Sequence, residues 1–134
     1  MTDGNGVPLG ATITVGQAHE SKQFEPLMDS VRIRRRRRPD AVAGDRAYSA
    51  NRIRDWLSRR GIEAVIPTKS TQHYVQHNRR KYRRRNVVER CINWLKCCRR
   101  IGTRYEKLAS RFLGMVKLAF IQRCLRLLDP SDTP

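Results

Sequence analysis

The sequence predicts an α/β fold with parallel strands, on two observations. The first is the order strand, helix, strand between Ala41 and Pro67. Such an order is a βαβ unit, and parallel strands need a crossover of this kind. The second is a set of further segments whose apolar residues recur at helical spacing. At 134 residues the chain fits one domain, or most of one, and can bury a modest core.

Taken in order, Asp3-Gly4-Asn5-Gly6 reads as a tight turn. Pro8 to Val15 alternates in character and reads as a strand. A turn so near residue 1 predicts that a preceding strand is missing or nearly so. Residues 16–21 form a loop into a helix over Phe24 to Val31, where Phe24, Leu27, Met28 and Val31 share a face. Arg34, Arg35, Arg36, Arg37 and Arg38 form an unbroken basic run before Pro39. The run repels itself and should be a mobile loop, either solvated or in contact with phosphate.

Ala41 to Gly44 is short and apolar, as a buried strand ending at Asp45 would be. Ser49 to Arg60 is a helix burying Ile53, Trp56 and Leu57, and Gly61 stops it. Ile62 to Pro67 is the next strand. Thr68 to Arg84 is a basic loop that grades into a helix. That helix, Asn86 to Arg100, should bury Val88, Cys91, Ile92, Leu95 and Cys98. Gly102-Thr103 breaks it. Tyr105 to Leu128 is a long apolar helix expected to pack across the sheet, and residues 129–134 read as a disordered tail.

The formal net charge is +17 and the isoelectric point about 11.1, with arginine well ahead of lysine. This balance implies a polyanionic partner, with nucleic acid the default. The arginines are spread over several elements, which argues against a membrane surface. Residues 112–128 hold Lys117, Gln122, Arg123 and Arg126, too many polar groups for a membrane span. The polar N-terminus carries no signal peptide pattern, so a cytoplasmic location is expected. Cys91, Cys97, Cys98 and Cys124 contain no C-x2-C pair and no histidine lies near them, so they read as free thiols. His19, His73 and His77 lack ligand spacing and should be exposed.

One spacing carries chemistry. Tyr82, Arg85, Glu89 and Lys96 follow the pattern Y-x2-R-x3-E-x6-K. A helix reaching back to Tyr82 would put all four within roughly 60° of arc. Glu89 could then hold a metal ion while Arg85 and Lys96 hold phosphates. Asp45, at a strand end, is the candidate acidic partner. Phosphodiester cleavage commonly uses two divalent ions on converging carboxylates. The plainer alternatives are that Asp45 is a turn or cap residue and that Glu89 pairs with Arg85 along the helix. The residues alone leave these open.

Several motifs in order resemble the DDE class of bacterial insertion-sequence transposases, in particular the IS-five type. They are Gly44-Asp45-Arg46-Ala47-Tyr48-Ser49, Arg60-Gly61-Ile62, Ile66-Pro67, the stretch from Tyr82 to Lys96, and Thr103 to Ala109. The resemblance runs from about residue 3 to residue 128. It implies a partial ribonuclease H-like α/β fold, a mixed sheet with flanking helices, over residues 1–128. It also implies Mg²⁺-dependent cutting and joining of DNA. Asp45 matches the family's second catalytic aspartate and Glu89 its catalytic glutamate, so both are the expected metal ligands. Tyr82, Arg85 and Lys96 match residues linked to handling the element's end. The strand bearing the family's first aspartate has no counterpart here, and Asp3 matches a turn residue. Two carboxylates hold a metal weakly, so the chain is expected to be inactive alone. Its partners are expected to be DNA and an upstream transposase segment or a second copy. The rival expectation is a non-catalytic DNA-binding remnant that competes with a full-length enzyme.

Overall fold

A computed structural model describes residues 1–14, 19–31 and 38–128. The chain is a mixed α/β structure that divides into two compact units. One is Gly16–Arg85; the other joins Met1–Val15 to Asn86–Pro134.

The first unit is built around the predicted crossover. A 3₁₀ turn, Glu20–Gln23, leads into α1, Phe24–Ser30. Strand β1 is Ala41–Ala43, helix α2 is Asn51–Ser58, and strand β2 is Glu63–Val65. The strands are parallel, with Ala41 opposite Glu63 and Ala43 opposite Val65. Helix α2 buries Ile53, Trp56 and Leu57, the face its spacing predicts, against Phe24, Ile62 and Ile66. Trp56 meets Phe24 edge-on at 5.8 Å, and the Arg60 guanidinium lies 3.7 Å from the centre of the Trp56 ring. Gly61 ends the helix at φ +65, a conformation that costs a side chain about 1–2 kcal/mol.

Both ends of α2 are shorter than the sequence predicts. Ser49 is buried outside the helix, its hydroxyl donating to the Gln72 side-chain carbonyl at 2.9 Å. Helix α3, Arg79–Arg83, is capped by the Asn78 side chain, which accepts from the Lys81 amide. Lys81 pairs with Glu63 and so ties α3 to β2. Arg34, Arg35, Arg36 and Arg37 lie outside the described residues; Arg38 is exposed and donates to the Arg60 carbonyl at 3.3 Å.

The second unit starts with the predicted turn. The Asp3 carboxylate accepts from the amides of Asn5 and Val7, each at 2.8 Å. The strand expected over Pro8 to Val15 does not form among the described residues. Thr2 and Pro8 make one antiparallel bridge, and Leu9 donates to the Met1 carbonyl at 3.0 Å. Among the described residues no strand pairs with residues 10–14, and a strand is defined by its ladder.

Helix α4 is Asn86–Cys97, α5 is Arg99–Gly102 and α6 is Ala109–Leu128. The single helix expected to Arg100 breaks at Cys98, whose backbone is extended. Gly102 permits the return. A Cβ there would stand 2.3 Å from the Lys96 carbonyl oxygen. Arg104, at φ +48, precedes the late start of α6 at Ala109 instead of Tyr105. A second core gathers Ile101, Val116 and Ala119 with Trp94, Leu95 and Phe112. Cys91 is buried as expected, but Ile92 is 41% exposed. Leu118, Ile121, Leu125 and Leu128 form an exposed stripe on α6. The tail over residues 129–134 lies outside the described residues. No described helix is long and apolar enough to cross a membrane.

Candidate nucleic-acid and catalytic residues

Asp45 follows β1 after Gly44, at the C-terminal edge of the parallel pair. It is half-buried. One carboxylate oxygen accepts from the Ala47 amide at 2.9 Å and caps the 3₁₀ turn Arg46–Tyr48. The cap reading of Asp45 is therefore realised, which leaves its second oxygen for any further role. Gly44 keeps the approach close: a Cβ there would lie 3.4 Å from the Tyr48 Cβ and 3.5 Å from Ile66. Tyr48 packs on Phe24 with ring centres 5.9 Å apart and reaches Glu20 at 3.5 Å. Burial, then the charges of Glu20 and Asp45, push its phenol above the usual range.

Tyr82 and Arg85 are brought together within the first unit. The Arg85 guanidinium lies 5.8 Å from the Tyr82 ring centre, and its amide donates to the Tyr82 carbonyl at 2.9 Å. They do not share a continuous helix with Glu89. The backbone turns at Arg84 and Arg85 between α3 and α4. The cationic run itself is helical over Arg79–Arg83, and the turn follows it. His77 is half-buried, not exposed as expected. Its ring meets Tyr82 edge-on at 5.5 Å.

Glu89 stands half-buried in the first turn of α4, and Lys96 is exposed in the last. Seven helical residues keep them on one face about 10 Å apart along the axis. An open groove of about 570 Å³ is lined by Lys96, Arg99 and Arg104 together with Ile13, Ile92 and Phe112. Burial pushes the Cys91 thiol up, against the opposing charges of Arg123 and the N-terminal amine. A thiol so placed is a poor nucleophile.

Among the described residues, no three His, Cys, Asp or Glu side chains converge as a metal site requires. Asp45 and Glu89 also belong to different units. Sequence reasoning passed over Arg54. It sits beside Leu57 on the α2 wheel and reaches inward to the Ile66 carbonyl at 2.8 Å. That wheel position was the available signal.

The elements that carry Asp45, Glu89 and Lys96 match the transposase DDE domain over residues 42–126, and the chain belongs to that family. A protein of Burkholderia cepacia described as transposase for insertion sequence element IS402 is 36% identical over 98% of the chain. The chain spans 64% of that relative's length. A Brucella ovis protein described as transposase for element IS6501 is 30% identical over 94% of the chain and 95% of its own length. No solved structure matches.

Proposed function

We propose that this chain is the DNA-binding, two-carboxylate portion of an insertion-sequence transposase. The observation that carries the reading is the family match over residues 42–126, which encloses Asp45, Tyr82, Arg85, Glu89 and Lys96. In this reading Asp45 and Glu89 are catalytic carboxylates that would ligate Mg²⁺. Tyr82, Arg85, Lys96 and the run Arg34 to Arg38 contact the element's end. The charge of +17 supports phosphate contacts in number. Bound Mg²⁺ would supply Lewis-acid chemistry at a DNA phosphate. The residues of this chain supply only part of such a site, so cutting and strand transfer require a further carboxylate from an upstream transposase segment or a second copy.

A second reading is favoured by the lack, among the described residues, of three converging metal-ligating side chains: a non-catalytic DNA binder that competes with a longer transposase. One pair of assays separates the two. Purified chain is offered an element-end duplex with Mg²⁺, alone and with an upstream segment of a related transposase. We expect binding in both cases and nicking only with the segment, abolished by Asp45→Ala. Nicking that never appears, with binding intact, would leave the competitor reading standing.

A further inference from the structure

Arg54 lines a cavity of about 260 Å³ together with Asn51, Thr68, Gln72, His73 and Val75. The walls are held by the chain itself. The Thr68 hydroxyl accepts from the Val75 amide at 3.0 Å and donates to its carbonyl at 3.3 Å. Ser49 pins Gln72 from the other side at 2.9 Å. The cavity opens beyond the C-terminal end of β2 and beside the first turn of α2, the same sheet edge from which Asp45 emerges. Ligand sites of α/β sheets favour that edge.

No carboxylate lines this cavity. None of the described ion pairs includes Arg54. The guanidinium carries five donors, and its one described acceptor is the Ile66 carbonyl. A half-buried cation of this kind is better satisfied by a counter-charge than by water alone. Asn51 and His73 also line the cavity, and a side-chain amide and an imidazole can each donate to an oxyanion. The space admits a tetrahedral oxyanion together with water and is below the usual size of a small-molecule pocket, roughly 300–1,000 Å³.

We propose that this cavity is a phosphate-binding site that seats one DNA backbone phosphodiester, with Arg54 as principal donor and Asn51 and His73 beside it. The inference rests on the DNA-binding reading above. It adds a positioning contact on the Asp45 side of the sheet.

The test has two arms on the full chain. In the first, inorganic phosphate is titrated while the Arg54 side-chain NεH and the His73 ring signals are followed by NMR, with chloride as control. Both signals should move with phosphate and not with chloride. In the second, binding to an element-end duplex is measured across a salt series for wild type and Arg54→Gln. Gln removes the charge and keeps a polar side chain. The variant should lose about tenfold in affinity at low salt, and its log–log salt slope should shrink by about 0.9. Should Arg54→Gln fail to fold, Arg54→Lys should keep the wild-type slope yet need more phosphate to move His73. An unchanged slope in Arg54→Gln, or phosphate shifts no larger than those with chloride, overturns the inference while DNA binding stands. Phosphate shifts in a chain that binds no duplex would instead sink the DNA reading and assign the cavity to free phosphate.

Discussion

Asp45 spends one carboxylate oxygen on the Ala47 amide, as short acidic residues at the head of a turn commonly do. Its neighbour Tyr48 carries a testable pH dependence. Burial first, and the Glu20 and Asp45 charges second, raise its pKa. The folded state thus holds the phenolic proton more tightly than the unfolded chain. The group's contribution is whole below the unfolded value of roughly 10 and is lost as pH rises through the higher folded value. Urea midpoints should therefore fall between about pH 9 and pH 11 in wild type, and Tyr48→Phe should fall less. Equal losses would show that Tyr48 does not drive the alkaline limb. The cap role of Asp45 was legible because a polar residue after a short strand must satisfy nearby amides. Arg54 was harder to see, because an arginine on a helix wheel is ordinarily solvent-facing.

At the scale of elements, local pattern and local turns together set the boundaries. The α2 spacing of Ile53, Trp56 and Leu57 met its core as predicted, since one apolar face has one way to leave water. Helix α4 starts at Asn86 as predicted, and the turn at Arg84 and Arg85 keeps Tyr82 on a separate short helix. Gly102 shows how closely α5 turns back on α4. Gly102→Ala would place a methyl 2.3 Å from the Lys96 carbonyl oxygen and should destabilise by about 1–3 kcal/mol. Gly114, inside α6, meets nothing within 4 Å, so Gly114→Ala should stabilise by about 0.5–1 kcal/mol. Opposite shifts in denaturant midpoint for the two variants check this pair. A shift of the same sign in both would contradict the packing described at Gly102.

For the whole molecule, charge sets two opposing responses to salt. A formal +17 on 134 residues repels itself in the folded state. Raising ionic strength from about 0.01 M to 0.1 M cuts the screening length from about 30 to about 10 Å. The melting temperature should rise over that range while DNA affinity falls with a steep log–log slope. A melting temperature that drops with salt would mean that the Glu25–Arg52, Glu63–Lys81 and Glu106–Arg100 pairs outweigh the general repulsion.

The sequence by itself determined the βαβ order, the buried face of α2, the stop at Gly61 and the strongly basic charge. Each follows from spacing, chain stiffness or net charge, which are properties of neighbouring residues or simple sums. Only the tertiary structure decided that residues 10–14 find no ladder and that the helix through Cys98 breaks. It also placed Arg54 in a cavity and left the leucine stripe of α6 exposed. Those outcomes depend on which distant segment supplies a partner, and periodicity along a chain contains no information about what stands across the gap.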